Sequence, residues 1–262
     1  MKRKRFTLFI PIFILCFSLS AQAQEERSKG IIVSALHGLE YEMKAGLGIG
    51  GTSPLPLPRE IRSIDSYSPG LAFSLEGNAL KWLDAQKQWG IKVGLRLESK
   101  TMTTKATVKN YGMEILNDNG GKLSGLWTGG VKTKVHNSYI TLPVSAVYKI
   151  NKRWRTSLGA YISYLLDGDF SGDVYDGHLR TPDETGSRVD FSGDNKATYD
   201  FTNDLRKFQW GLQAGGEWRA FKHFNVFADL TWGLNNIFNS DFHTVKFNLY
   251  PIYLNMGFAY AF

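Results

Sequence analysis

Ile252-Tyr253-Leu254-Asn255-Met256-Gly257-Phe258-Ala259-Tyr260-Ala261-Phe262 closes the chain and decides how the rest of it reads. Even-numbered positions are all apolar or aromatic, while Tyr253, Asn255, Gly257, Ala259 and Ala261 between them are mostly small or polar. In a β-strand successive side chains point to opposite faces, so the two sets part cleanly. Seven earlier segments sort the same way. Phe224, Val226, Ala228, Leu230 and Trp232 oppose Asn225, Phe227, Asp229 and Thr231. Phe208, Trp210, Leu212, Ala214 and Trp218 oppose Gln209, Gln213, Glu217 and Arg219. Further alternating runs lie around Trp154–Leu166, Ile140–Ile150, Trp89–Leu97, Leu71–Leu75 and Leu39–Ile49.

Two architectures produce such runs. In a β-sandwich the apolar face is the core; in a transmembrane barrel it meets lipid, and the polar face lines the lumen. Connection lengths favour the barrel. Asp84–Gln88, Asn151–Arg153 and Lys222–His223 are tight turns, whereas Thr52–Tyr67, Lys100–Val135 and Phe170–Lys207 are long, as expected for periplasmic turns and external loops. Trp82, Trp89, Trp154, Tyr164, Trp210, Trp218 and Trp232 fall at segment ends, where an interfacial aromatic girdle belongs. The expectation is all-β: an antiparallel up-and-down transmembrane barrel of eight strands. Ten strands are the alternative, because Lys100–Val135 itself holds two alternating stretches. With eight strands, this segment is a protruding hairpin bent at Gly120-Gly121 and Gly129-Gly130. Acid-rich Phe170–Lys207 is expected to be a hydrated external loop. Pro-rich Thr52–Pro58 is expected to be a stiff link that caps the mouth or presents an extended edge.

Mean hydropathy is -0.23, which excludes a bundle of apolar helices. Met1–Arg5 is a charged segment, Phe6–Leu19 an apolar one, and Ala21-Gln22-Ala23 offers small residues to a signal peptidase. Residues 1–23 are therefore expected to be a cleaved signal peptide, leaving the outer-membrane β-barrel domain over 24–262. The whole chain carries +7, but Lys2, Arg3, Lys4 and Arg5 lie in the leader. The remainder, near +3, has no basic face for nucleic acid. Cys16, the single cysteine, is also in the leader, which removes disulfides, thiolate metal sites and Cys nucleophiles from the mature chain.

The inward face is expected to carry Glu42, Glu76, Glu98, Glu217 and Asp229 against Lys44, Lys92, Arg96, Arg155 and Arg219. Eight strands enclose a space that side chains nearly fill, and charges withdrawn from water are tolerable when paired. Five acids facing five bases predict an ion-pair plug rather than a selective channel. No catalytic, cofactor or metal site is expected. The five histidines lack H-x-x-x-H spacing, the acids of 170–207 lack an EF-hand pattern, and Walker, dinucleotide and nucleophile-elbow motifs are missing. His136 and Ser138 have the His-x-Ser spacing of lipid A deacylase barrels. The lipid face of that strand offers no acid to orient the His, so they read as polar residues at a strand end.

Phe208-Gln209-Trp210-Gly211-Leu212-Gln213-Ala214-Gly215-Gly216-Glu217-Trp218, followed by Phe227-Ala228-Asp229-Leu230-Thr231-Trp232-Gly233-Leu234-Asn235-Asn236-Ile237, resembles the PorT-like outer-membrane barrel family. Tyr139-Ile140-Thr141-Leu142-Pro143-Val144 and Leu158-Gly159-Ala160-Tyr161 extend the resemblance, which covers most of Tyr139–Phe262 and, more loosely, Leu39–Gly77. Trp232 stands where the family usually has Tyr. The resemblance implies a porin-like outer-membrane barrel, and its namesake serves a protein-secretion system. Phe258, Tyr260 and Phe262 likewise resemble the aromatic terminal signal read by the barrel-assembly machinery. The implied partners are thus outer-membrane lipid and that machinery, with a secretion component or a surface ligand as further readings.

Overall fold

The computed structural model describes residues 38–116, 122–191, 193, 197–245 and 247–262. The expected signal peptide and the Gly120-Gly121 bend lie outside them. Among the described residues there are eleven strands: β1 (Leu39–Pro54), β2 (Ile61–Ser68), β3 (Ala72–Trp82), β4 (Trp89–Leu116), β5 (Lys122–Lys149), β6 (Trp154–Thr181), β7 (Ser187–Phe191), β8 (Ala197–Asp200), β9 (Phe208–Arg219), β10 (Phe224–Gly233) and β11 (Leu249–Ala261).

Eight of these form a closed antiparallel ring, β1-β3-β4-β5-β6-β9-β10-β11, with β11 returning to β1. Each neighbour in the ring is the next long strand along the chain, so the barrel is up-and-down, and closure leaves the ring itself without an edge strand. Its faces are inverted relative to a soluble protein. Leu158, Leu212, Leu230 and Phe258 point outward and are about half exposed, whereas Lys44, Arg96, Thr141 and Gln213 point inward and are buried. Water would not tolerate a continuous apolar exterior of this size; acyl chains solvate it.

Two of the three tight turns are set by side-chain hydrogen bonds to nearby amides. The Asp84 carboxylate accepts from the amides of Gln88 (2.9 Å) and Trp89 (2.8 Å), with Lys87 in the left-handed region at φ 53°. The Asn151 side chain accepts from Arg153 N (2.8 Å) and Trp154 N (2.9 Å). These are the self-bonding turns that Asp and Asn favour.

The opposite end is tall. β4, β5 and β6 are 28 residues each, against the ~9–11 needed to cross a membrane. Along β4 the inward face changes chemistry without changing parity: Lys92, Arg96, Glu98 and Lys100 give way to Met102, Ala106 and Val108. A bulge between Val108 and Tyr111, with Asn110 at φ 53°, then flips the parity. Beyond it Met113 and Ile115 are the buried residues. A bulge near Leu166 does the same to β6, turning Phe170 and Val174 inward. Gly129 (φ 149°) and Gly130 mark a further irregularity in β5, at one of the two bends expected from sequence.

The result is a second core, apolar inside, built around Trp127, Val131, Phe170, Val174, Leu179 and Phe238. This corrects the reading of Phe170–Lys207 as a hydrated loop. β6 continues to Thr181, β7 folds back on it and β8 bridges β6 and β4. Thr52–Tyr67 is likewise not just a link, since β1 runs on to Pro54 and β2 pairs along β4.

Candidate functional site

Inside the ring the buried charges form two neighbouring ion-pair groups, each with as many acids as bases, and the larger spans five strands. Glu217 on β9 is its hub. Its Oε1 lies 2.8 Å from both Lys44 Nζ (β1) and Lys92 Nζ (β4), and its Oε2 accepts from Arg155 (β6). Lys44 also donates to Asp229 of β10 (2.9 Å), and Arg155 to Glu42. Arg96 pairs with Glu76 of β3, reaches Glu98 at 3.6 Å, and donates to Gln213 Oε1 (3.2 Å). Polar neighbours complete the packing: Thr141 donates to Glu98 (2.8 Å), and Gln213 Nε2 to Ser145 (2.8 Å). Every strand carries its contribution inward through the two-residue period. Small residues make room where the groups are bulky: at Gly215 a Cβ would overlap the Asp229 carboxylate and crowd Ser157 Oγ.

Nine of the ten charges expected from sequence meet here. Arg219 does not. It is exposed beside Arg153 and Lys149 at the mouth on the short-turn side, because its strand ends there. Lys100 takes the fifth cationic place, 3.4 Å from Glu98. It lies among the rings of Tyr139, Tyr161 and Tyr253, whose centroids are 5.1, 5.3 and 5.7 Å from Nζ. Extending the β4 alternation by one more even position would have found it. These rings mark the boundary between the ionic and apolar interiors, and a cation over aromatic faces suits both sides.

Five carboxylates and five cations share a space with almost no solvent. Each charge withdrawn from water costs several kcal/mol unless its partners replace the hydration, so the cluster is viable only as a neutral set. Such an arrangement lines the lumen with both signs of charge rather than with one.

Phe258 and Tyr260 face outward, and Phe262 continues the row at the short-turn end. The Tyr260 ring packs edge-on to Phe224 (5.3 Å) and Phe262 (5.1 Å) and stacks on His223 (5.7 Å). His136 is exposed, and the β5–β6 register sets Asp169 opposite it and Asp167 opposite Ser138. Carboxylates therefore do stand beside this pair, which the sequence pattern missed. Among the described residues no hydrogen bond joins His136 to Ser138 or to either Asp.

A closed ring with a lipid-solvated exterior and a charge-neutral interior defines an outer-membrane β-barrel protein. The chain belongs to the family described as the outer membrane protein beta-barrel domain, whose model matches residues 22–239. The match is at the level of the barrel domain and does not single out PorT-like members. Among solved structures, Ail, the attachment invasion locus protein of Yersinia pestis, is similar at 10% identity and TM-score 0.37, over 86% of this chain and 97% of that one. A major outer membrane protein from Thermus thermophilus shares 15% identity at TM-score 0.40, over 86% and 100%. Neisserial surface protein A shares 12% at TM-score 0.30, over 86% and 97%. No curated protein matches.

Proposed function

We propose that this is a non-conducting, non-enzymatic barrel of the outer membrane whose task is binding, performed by the tall end outside the cell. The observation that carries this reading is the division of labour along one set of strands. The membrane-level interior is filled by paired charges, while β4, β5 and β6 continue past it to enclose an independent apolar core. Ordering that much extra chain costs conformational entropy, which a mere membrane plug would not need. The short turns and the aromatic C-terminus would face the periplasm, where assembly machinery meets the chain. A pore or a secretion component remains the rival, and each predicts something the binding reading does not: steady ion steps, or cargo held back on deletion.

The test exploits a mature chain free of cysteine. Ser66→Cys on β2 should react with a membrane-impermeant maleimide on intact cells, and purified folded protein should leave a planar bilayer silent. Protection of Ser66→Cys until the cells are lysed would reverse the orientation. Regular conductance steps would replace the binding reading with the pore.

A further inference from the structure

The wall of the tall end is not continuous. β1 last pairs with β3 at Gly48↔Ala72, and above that level its neighbour on this side is β2, which is laddered only to β4. Among the described residues no ladder joins β1 to β2. Tyr67 instead donates its hydroxyl to the Gly50 carbonyl across the gap (2.6 Å), and the Thr52 amide turns to the thioether of Met102 (3.2 Å). A strand amide that donates to a side-chain sulfur marks a stretch of edge without a ladder on that side.

Behind this seam lies a cavity of about 330 Å³. Met102, Ala106, Val108, Val131, Phe170 and Leu249 line it, with Leu57, Ile64 and Tyr67 exposed at its rim. An apolar cavity of roughly 150 Å³ already takes up benzene, and small-molecule sites begin near 300 Å³. Among the described residues no charged one lines it.

The cavity shares two residues with a second, polar hollow of about 220 Å³. These are Tyr111 and Phe247, whose rings meet edge-on at 5.5 Å. The polar hollow holds Arg59, Arg62 and Lys109 against Glu60 and Glu184, an excess of one cation. The hollow straddles the bulge at Asn110, with Lys109 before it and Tyr111 after it. Burial, with the Glu60 charge beside it, pushes the Tyr111 pKa up, so its hydroxyl stays a neutral donor at the junction.

We infer that the two hollows form one site for a free, single-chain anionic amphiphile, its aliphatic tail behind the β1–β2 seam and its acidic head between Arg59, Arg62 and Lys109. The apolar half excludes a sugar or a bare anion. The basic half favours a fatty carboxylate over a neutral hydrocarbon, because hydrogen bonds to ionised groups are the stronger ones. The site rests on the binding reading above and names its ligand class.

The probe is dodecanoate carrying a diazirine near its methyl end, photolysed with the folded full-length mature protein in phospholipid nanodiscs, with adducts mapped by mass spectrometry. Label is expected at Met102, Val131 or Phe170, displaced by excess dodecanoate and not by dodecanol. Ala106→Phe, which fills the cavity, should abolish this label in protein that still migrates as a heat-modifiable barrel. Arg59→Gln should raise the dodecanoate needed for displacement about tenfold, the loss of one charge-assisted contact. Label confined to lipid-facing residues such as Leu142 and Leu212, or unchanged by Ala106→Phe, would overturn the site. Equal displacement by dodecanol would overturn the assignment of its head. Label arriving only from a diazirine-bearing phospholipid, with dodecanoate without effect, would give the cavity to membrane lipid and overturn the free ligand. A barrel that stays silent in the bilayer while any of these occurs loses the ligand but keeps the binding reading.

Discussion

Glu217→Gln is the sharpest single perturbation of the lumen. The carboxylate takes Lys44 and Lys92 on one oxygen, at 2.8 Å each, and Arg155 on the other. Glutamine keeps one acceptor, but its amide group is turned toward a cation and the negative charge is gone. Arg155 then keeps Glu42 and Lys44 keeps Asp229, while Lys92 loses its ion-pair partner. Removing one partner of a buried pair costs about 3–5 kcal/mol, since the other charge stays buried and uncompensated. That is roughly two to nearly four orders of magnitude in the folding equilibrium. Urea titration of protein refolded into vesicles, with the folded fraction read from unboiled gel migration, measures it. Adding Lys92→Met removes one orphaned cation. The double variant should therefore be more stable than the sum of the two single losses by about 0.5–3 kcal/mol. A single variant costing less than about 1 kcal/mol, the range of exposed pairs, would refute the plug, as would strict additivity of the double.

Three further outcomes follow from particular residues. Gly215→Val places a branched side chain on the Asp229 carboxylate and should lower stability by about 1–3 kcal/mol from overpacking; the same urea titration reads it, and a neutral result would mean the lumen has slack. Trp127→Ala empties the middle of the external core, where Trp127 is fully buried and donates to the Gly130 carbonyl at 3.2 Å. It should cost that core about 3–5 kcal/mol, open β5–β6 to added protease, and leave the membrane ring heat-modifiable; loss of the ring as well would join the two cores into one unit. At the β3–β4 turn, amide hydrogen bonds from Trp89 and Gln88 hold the Asp84 pKa below its ordinary value. A lowered carboxylate stabilises the fold above the unfolded value of about 3.9 and loses that contribution as pH falls through the folded one. Asp84→Asn should therefore be destabilising at neutral pH and approach wild type in strong acid; a difference independent of pH would place the effect elsewhere.

The membrane part of the fold is legible in β9, β10 and β11 because lipid on one side and paired charges on the other force strict period two on each strand. Glu217 and Asp229 could be placed for the same reason. The tall end is hard to read because its rule changes twice. Above Lys100 the inward residues become apolar, so Met102 and Val108 look like the lipid face they do not belong to. At Asn110 and near Leu166 one extra residue flips the parity, which scrambles Met113, Ile115, Phe170 and Val174 for any fixed-period reading. Acidic residues from Asp173 to Asp204 dominate the composition there and conceal Val174 and Leu179, which are fully buried. Arg219 and Lys100 changed places for one reason: the charge cluster stops two residues short of the end of β9 and extends one alternation further along β4.

Spin labels placed one at a time along β9, from Phe208 to Trp218, test the inverted barrel most directly in reconstituted membranes. Labels at positions 208, 210, 212, 214 and 216 should collide readily with dissolved oxygen, which concentrates among acyl chains, and those at 209, 211, 213, 215 and 217 should be shielded from oxygen and from a water-soluble nickel chelate alike. Shielded even positions with chelate-accessible odd ones would mean that Trp210 and Leu212 form a core and Gln213 and Glu217 face water, and the barrel as described would be wrong.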